Sequence, residues 1–353
     1  NEQRRDTHDY SEAETRANII DLLFREAGWF LDKAEDREYP VAGLPSTRSG
    51  QGRVDYVLWD DDGRPLAVVE AKATSKSPIA GQEQAREYAD ALERQFGSRP
   101  VVFYANGYET WIWDDGNRYP PRPVQGFYTK DELRSLITRR ASRQPLGSML
   151  VNDEIVERYY QSRAISKVGE RFDRDNQRQA LLVMATGSGK TRTAIALADV
   201  LQRAGWIKRV LFLADRQELV SQATAAFKQH LPNTPVVNLL EEKNDTARIF
   251  VSTYPTMLNL INTMSDSGER KFGVGYFDLV IVDEAHRSIF NKYKAIFDYF
   301  DALLLGLTAT PRNEIDRNTY RIFNLEEGNP TDSYDLDQAK ADGYLVGPFT
   351  INV

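Results

Sequence analysis

Cysteine is absent from the 353 residues of this chain, and histidine occurs only three times. Disulfides and thiolate metal sites are therefore excluded, and we expect no zinc site built from histidines. Long apolar runs are also lacking: nothing approaches the roughly 18 to 20 residues that span a bilayer, and the first residues are polar. We therefore expect a cytoplasmic protein with neither a membrane span nor a signal peptide.

The composition excludes a disordered or collagen-like chain, because 41% of the residues are hydrophobic and 27% are charged. At the usual size of about 150 residues per domain, this length predicts about two domains. The formal net charge of −7 argues against a protein that coats nucleic acid with a uniformly basic surface. It is compatible with a local basic groove, because the charge that meets phosphate is local.

Residues 1–140 predict an α+β domain built on antiparallel hairpins. Ser11, with Glu14 three residues later, forms the pattern of a helix start, and the apolar spacing continues to Gly28. One pair of apolar runs flanks an Asp62–Gly63 turn and a second pair flanks Asn106–Gly107, as in hairpins. The predicted strands are 54–59, 66–71, 100–105 and 108–113, with a helix over 82–96.

The rest of the chain predicts an α/β domain. Residues 141–178 form a helical linker, and 326–353 form a connection after the lobe at 179–325. Within that lobe, short apolar runs alternate with helical segments, which is typical of a buried parallel sheet with helices on both faces. The predicted strands are 181–184, 209–214, 249–253, 279–282 and 303–307.

The segment ATGSGKT (Ala185–Thr191) lies between the first of these strands and a helical segment, the context that a phosphate-binding loop requires. The glycines of such a loop let backbone N–H groups point at phosphates, its lysine reaches the β and γ oxygens, and its threonine ligates Mg²⁺. The alternative is a glycine-rich helix start with no ligand. The candidate nucleotide-binding residues are Gly187, Ser188, Gly189, Lys190 and Thr191.

The strand at 279–282 ends in Asp283-Glu284-Ala285-His286. Acidic residues at the carboxyl end of a strand lie where open α/β sheets bind ligands. Asp283 can hold Mg²⁺ through water, and Glu284 can orient or deprotonate the attacking water; alternatively, the two begin the next helix as a capping pair. The strand at 303–307 leads into Thr308–Pro311, where Thr310 either senses the nucleotide or belongs to an ordinary turn.

Glu70 and Lys72 fall on the same face of one predicted strand, because strand side chains alternate with period two. If the hairpin closes about Asp62–Gly63, the numbers of paired residues sum to 125, and Asp55 lies opposite Glu70. Directly opposed like charges destabilise a sheet, and a divalent cation would relieve that repulsion. Two carboxylates and an ammonium suit Mg²⁺-assisted phosphodiester hydrolysis; the alternative is a solvated polar face.

This neighbourhood resembles the PD-(D/E)XK nuclease core, because an aspartate, a Glu-x-Lys triplet and a Gln-x-x-x-Tyr pair follow one another in the family's order. Glu14, on the preceding helix, matches an acid that such nucleases often add to the metal site, so the implied metal ligands are Asp55, Glu70 and Glu14. Glu14, Gln84 and Tyr88 could instead be ordinary helix-surface or packing residues. The catalytic residues implied by the resemblance are Asp55, Glu70, Lys72, Gln84 and Tyr88.

The second half resembles a superfamily-two helicase or translocase. ATGSGKT, DEAH and TATP, in this order on successive strands, match motifs I, II and III. Tyr160 and Gln161 match the glutamine motif that reads adenine, 213–223 matches motif Ia, and 251–255 matches a segment that touches a DNA backbone. The match covers about 154–312 and implies ATP and Mg²⁺ as cofactors.

In that family a second RecA-like lobe closes the ATP site and supplies arginines to the γ-phosphate. No such lobe fits between Pro311 and Val353. We therefore expect a fragment or half-motor whose own ATP turnover is poor, with 326–353 leading toward the missing lobe.

A restriction-type nuclease followed by a DEAH lobe resembles the R subunit, the motor and cleavage subunit, of a type I restriction enzyme. In type III enzymes the nuclease follows the motor, so the order here disfavours them. The resemblance implies ATP-driven translocation of double-stranded DNA and Mg²⁺-dependent endonucleolytic cleavage in phage defence, with salt-dependent contacts to DNA phosphates. The implied protein partners are separate modification (methyltransferase) and specificity subunits, where S-adenosylmethionine acts.

Two other functions are compatible with the sequence. One is a different nuclease and helicase fusion in DNA repair or phage defence, which would not co-purify with a methyltransferase. The other is an inert nucleotide-binding scaffold, for which Lys72→Ala would leave restriction by the assembly intact.

Overall fold

The computed structural model describes residues 9–242, 246–285, 287–310, 312 and 314–345. They fall into two compact units: the first comprises the described residues within Asn1–Ala141, Ile261–Tyr276 and Asp298–Phe300, and the second those within Ser142–Leu260, Phe277–Phe297 and Asp301–Val353. Two motif residues, His286 and Pro311, and the last part of the predicted connection, 346–353, lie outside the described residues. In the described part of the chain, no helix combines the length and the apolar character needed to cross a bilayer.

The first unit opens with a helix whose start is the predicted capping box, since Ser11 accepts from the Glu14 N–H and the Glu14 carboxylate accepts from Ser11. A π-helical segment, Arg16–Ile20, interrupts this helix. The elements are α1 Glu12–Thr15, α2 Asp21–Glu26, β1 Arg37–Ala42, β2 Gln51–Trp59, β3 Pro65–Ala71, α3 Gln82–Phe96, β4 Val101–Ala105, β5 Thr110–Trp113, β6 Arg122–Val124 and α4 Lys130–Ser142.

The six strands form one sheet in the order β1-β2-β3-β4-β5-β6. All neighbours are antiparallel except β3 and β4, which are parallel because α3 connects them. The apolar stripe of α3 packs on the sheet through Ala85, Ala89 and Leu92. The rings of Phe24 in α2 and Tyr56 in β2 pack against each other with their centroids 5.0 Å apart, so α2 also packs on the sheet. The predicted hairpins are confirmed.

The second unit alternates strands and helices, as predicted. Its elements are α5 Tyr159–Asp173, β7 Gln179–Met184, α6 Lys190–Arg203, β8 Val210–Ala214, α7 Gln217–His230, β9 Val236–Asn238, β10 Ile249–Thr253, α8 Tyr254–Leu260, β11 Leu279–Val282, α9 Arg287–Tyr299, β12 Leu303–Thr308, α10 Arg317–Ile322, β13 Asp332–Tyr334 and α11 Leu336–Ala341.

All neighbours in this second sheet are parallel, in the order β13-β7-β12-β11-β8-β10-β9. The central strands β8 and β11 are continuously apolar, as expected where helices cover both faces of such a sheet. The order places β12 between β7 and β11. Since parallel strands end at the same edge, the loops after these three strands, which carry the three predicted nucleotide motifs, converge there.

Candidate active sites

The two carboxylates of the hairpin lie opposite each other, as the sequence predicts. Tyr56 pairs with Val69 and Val57 with Val68, whose numbers sum to 125, so the next position outward sets Asp55 against Glu70. Both residues are buried, with Asp55 7% and Glu70 2% exposed. Asp55 Oδ2 accepts the Ala71 N–H at 2.7 Å, which fixes that carboxylate against β3.

Lys72 connects Glu70 to the following helix. Its Nζ donates to Glu70 Oε1 at 2.5 Å and to Gln84 Oε1 at 3.3 Å. Gln84 Nε2 donates in turn to the Tyr88 hydroxyl at 2.7 Å, because the two residues are one helical turn apart on α3. The structure thus brings together all five residues that the sequence predicts for this site.

The two buried carboxylates oppose each other electrostatically. Burial, followed by the charge of Asp55, raises the pKa of Glu70 to about 8, although Lys72 acts in the opposite direction. Burial also raises the pKa of Asp55, against the hydrogen bond from Ala71 and the charge of Arg16. The charged form of each carboxyl group is therefore disfavoured, and a further cation would stabilise it.

A divalent cation fits this arrangement. Within the part of the chain that the structure describes, Glu70 Oε2 is buried without a hydrogen-bond partner. A carboxylate oxygen that faces a second carboxylate and has no donor is suited to a hard cation such as Mg²⁺. Asp55 and Glu70 are the residues that would hold it.

Glu14 is not brought to this pair, contrary to its predicted place in the metal site. Its carboxylate closes the capping box with Ser11 and lies at the surface. Among the described residues there is no group of three or more acidic, histidine or cysteine side chains placed to hold a metal. The helix acid whose charge acts on both Asp55 and Glu70 is Glu12, two residues earlier.

Three residues of this neighbourhood were missed by the sequence analysis: Glu12, Arg16 and Glu38. Arg16 Nη1 donates to Asp55 Oδ1 at 2.9 Å and also contacts Glu38 Oε1. The spacing of Glu12 and Arg16, four residues apart on one helix, was the available signal that they share a face. Glu38 gave none, because it belongs to a strand that the patterns did not predict.

In the second unit, the predicted phosphate-binding loop has the backbone that its glycines permit. Gly187 and Gly189 have φ values of +82° and +90°, the left-handed region that favours glycine. The Ser188 hydroxyl is buried and donates to Ala185 O at 2.6 Å, which closes the turn. Helix α6 begins at Lys190, and the first N–H groups of a helix have no partner within it, so they are suited to an anion at this end.

Gln161 supports this loop. Its Nε2 donates to Ser188 O at 3.2 Å, and the neighbouring Tyr160 hydroxyl donates to the same oxygen at 2.8 Å. Gln161 Oε1 accepts the Arg158 N–H at 3.4 Å. Its side chain is therefore engaged with the protein at both ends, and its reading of adenine stays a prediction.

Asp283 and Glu284 follow β11 at the same edge. Burial and the charge of Glu284 raise the pKa of Asp283, whereas the charge of Lys190 lowers it, so the loop lysine acts on this carboxylate. Glu284 has a φ of +54°, an unfavourable conformation for a residue with a side chain. After β12, the Thr310 N–H donates to Thr308 Oγ1 at 3.1 Å.

The mixed sheet of the first unit and the parallel sheet of the second are those of a restriction-endonuclease-like domain followed by a RecA-like lobe. Residues 37–120 match the family described as "Type I restriction enzyme R protein N terminus". Residues 154–313 match the family described as "Type III restriction enzyme, res subunit". The first match contains the carboxylate hairpin, and the second contains the phosphate-binding loop and the loops after β11 and β12.

Curated relatives extend over nearly the whole chain. The EcoAI endonuclease subunit of a type I restriction enzyme from Escherichia coli is 30% identical over 335 residues, which cover 89% of this chain and 39% of that protein. The EcoKI endonuclease subunit of a type I restriction enzyme from Escherichia coli strain K12 is 28% identical. The match covers 96% of this chain and 35% of that protein. The chain is therefore HsdR-like, similar over most of its length to the R subunits of type I restriction enzymes, and it spans under half the length of these relatives.

Among solved structures, a fragment described as an HsdR subunit of a type I restriction enzyme from Vibrio vulnificus YJ016 is 27% identical, with a TM-score of 0.41. The match covers 96% of this chain and 62% of that one.

Proposed function

We propose that this chain supplies nuclease and motor parts of a type I restriction enzyme, cleaving double-stranded DNA with Mg²⁺ and coupling ATP hydrolysis to DNA translocation. The observation that carries the nuclease half is the opposed pair Asp55 and Glu70 with Lys72 held between Glu70 and Gln84. A buried carboxylate oxygen of Glu70 without a donor supports a metal role over a solvated polar face.

In the nuclease site, Asp55 and Glu70 would hold Mg²⁺, which when bound would supply a Lewis acid for the scissile phosphate. Lys72 is placed to orient a water molecule and to offset the negative charge that develops on the phosphate. Gln84 accepts from Lys72 and donates to Tyr88, so the pair limits the directions available to the ammonium. These are positioning roles that the hydrogen-bond chain supports.

In the motor site, the N–H groups of Gly187–Gly189 and the start of α6 would bind the phosphates of ATP, and Lys190 would bind their terminal oxygens. Thr191 and Asp283 are the residues suited to the Mg²⁺ that accompanies ATP. Glu284 would orient the attacking water, and Thr310 would respond to the nucleotide from the neighbouring strand. The adjacency of β7, β12 and β11 supports this assignment.

The partners proposed for the complete enzyme are double-stranded DNA and separate methyltransferase and specificity subunits, and S-adenosylmethionine would act in those subunits. These partners are supported by sequence similarity, because the two Escherichia coli relatives are endonuclease subunits of type I restriction enzymes. A cytoplasmic location is proposed with them.

The test is nicking of supercoiled plasmid by excess chain with Mg²⁺ or Mn²⁺ and no ATP. We expect Lys72→Ala to abolish nicking and to retain nucleotide binding. We expect Lys190→Ala to abolish nucleotide binding and to retain nicking. The exposed lysines Lys76 and Lys228 provide matched alanine controls, one in each unit. Loss of both activities in either variant, with the fold intact by circular dichroism, would contradict two separate sites.

A further inference from the structure

Both oxygens of Asp55 are engaged by the protein. Oδ2 accepts the Ala71 N–H at 2.7 Å, and Oδ1 accepts from Arg16 Nη1 at 2.9 Å. Arg16 is largely buried, with 24% of its side chain exposed. A cation that binds Asp55 together with Glu70 must therefore share Oδ2 with the Ala71 N–H, or share Oδ1 with the guanidinium or displace it from Oδ1.

Arg16 already has a second carboxylate partner. Its Nη1 also contacts Glu38 Oε1, and the Glu38 side chain is 45% exposed. Arg37 pairs with Tyr56 and Tyr39 with Val54, so Glu38 lies opposite Asp55 on the side away from Glu70. The three carboxylates thus cross β1, β2 and β3 in one row, and Arg16 bridges the first two.

The backbone is irregular at both ends of this bridge. Arg16 begins the π-helical segment Arg16–Ile20, a form that is rare and often found at functional sites. Glu38 has a φ of +48°, which a residue with a side chain rarely adopts. Both irregularities cost stability, and both position groups around Asp55.

We propose that Arg16 is a displaceable positioning residue: it holds Asp55 while no divalent cation is bound, and transfers to Glu38 alone when a cation takes Asp55 and Glu70. The proposal rests on the proposed nuclease function. An arginine stays charged at every relevant pH, so it is released by competition and not by losing a proton. The metal then has to break a charge-assisted hydrogen bond, and Glu38 keeps the guanidinium paired.

The test is Mn²⁺ affinity, measured by isothermal titration calorimetry on the whole chain without DNA or nucleotide. Arg16→Gln should tighten binding about tenfold, because one charge-assisted hydrogen bond no longer has to break. Glu38→Gln should weaken it, and the Glu38 effect should largely vanish in the double variant, since it acts through Arg16. Unchanged or weaker binding by Arg16→Gln overturns the proposal.

Two controls separate this mechanism from simple charge and from failure of the metal site. Arg37→Gln removes the same charge from a neighbouring residue that pairs with Asp21, so equal tightening there would overturn displacement in favour of a through-space effect. Glu70→Gln should remove binding; if it binds Mn²⁺ like wild type, the proposed nuclease site itself fails. If Arg16→Gln does not fold, Arg16→Met, which keeps an apolar stem but has no N–H donor for either carboxylate, should also tighten binding.

Discussion

Glu70 shows at the scale of one residue how a site can be built at the expense of stability. Its carboxyl group is buried beside Asp55, and its pKa is raised to about 8 from an ordinary value of 4.5. The folded chain therefore holds a proton that the unfolded chain releases between these two values. Stability without metal should accordingly fall as the pH rises through this window.

The corresponding prediction concerns Mg²⁺ and pH. A cation at Glu70 competes with the proton, so the rise in Tm on adding Mg²⁺ should be larger at about pH 8 than at about pH 6. Scanning calorimetry at both pH values measures it. Glu70→Gln, which cannot titrate, should lose the metal response and much of the pH difference; a wild-type response in that variant would refute the assignment.

Gly81 leads to a second prediction at this scale. A Cβ there would lie 2.9 Å from Glu70 Cγ and 3.1 Å from Lys72 Cε, so Gly81→Ala should displace both side chains. We expect loss of plasmid nicking with nucleotide binding retained. Gly126→Ala is the matched control in the same unit, because its Cβ would meet only Val274 at 3.8 Å. Full nicking by Gly81→Ala would show that the site tolerates the shift.

At the scale of elements, the sequence predicted what periodicity and turn chemistry determine. The hairpin register followed from its Asp-Gly turn, and α3 was placed at its observed bounds. Strand β1 was missed because it contains Pro40 and charged residues and lies at the edge of the sheet. Strands β9 and β13 have three residues each, too few to show a pattern.

The candidate nuclease site was likewise predicted only where local spacing determines it. The five residues of the hairpin and α3 follow from strand and helix spacing, so the sequence brought them together. The choice between Glu12 and Glu14 depends on the rotation of a helix that the π-helical segment alters. The bridge from Arg16 to Glu38 depends on the unpredicted strand, so no local pattern could reveal it.

Strand β12 carries a packing prediction. A Cβ at Gly306 would lie 2.4 Å from Phe323 Cζ and 2.9 Å from Leu181 Cδ1, both in the buried interior. Gly306→Ala should therefore destabilise the second unit by about 1–3 kcal/mol, measured by urea unfolding. Gly147→Ala, which has open space around its Cβ, should change stability little. Equal effects of the two would mean that this strand can shift to make room.

At the scale of the whole molecule, the chain joins two units and has an overall negative charge. In the proposed enzyme, contact with DNA would therefore come from local basic residues rather than from the net charge of −7. Arg216 follows β8, which pairs with β10 so that Ala214 lies beside Thr253. This places Arg216 near the end of the segment that resembles a DNA-backbone contact, and its side chain is 77% exposed.

We predict that Arg216→Gln weakens binding of the chain to two unrelated DNA duplexes by the same factor, because a phosphate contact carries no base information. The slope of log affinity against log salt should also become shallower by about 1. Fluorescence anisotropy over a salt series measures both quantities. Arg174→Gln is the matched control. The Arg174 side chain is 71% exposed in the same unit, but the residue follows α5 and precedes β7, so it is not at the carboxyl ends of the strands. A loss that differs between the duplexes would point to base contacts, and an equal loss in the control would mean that general charge, not position, governs DNA binding.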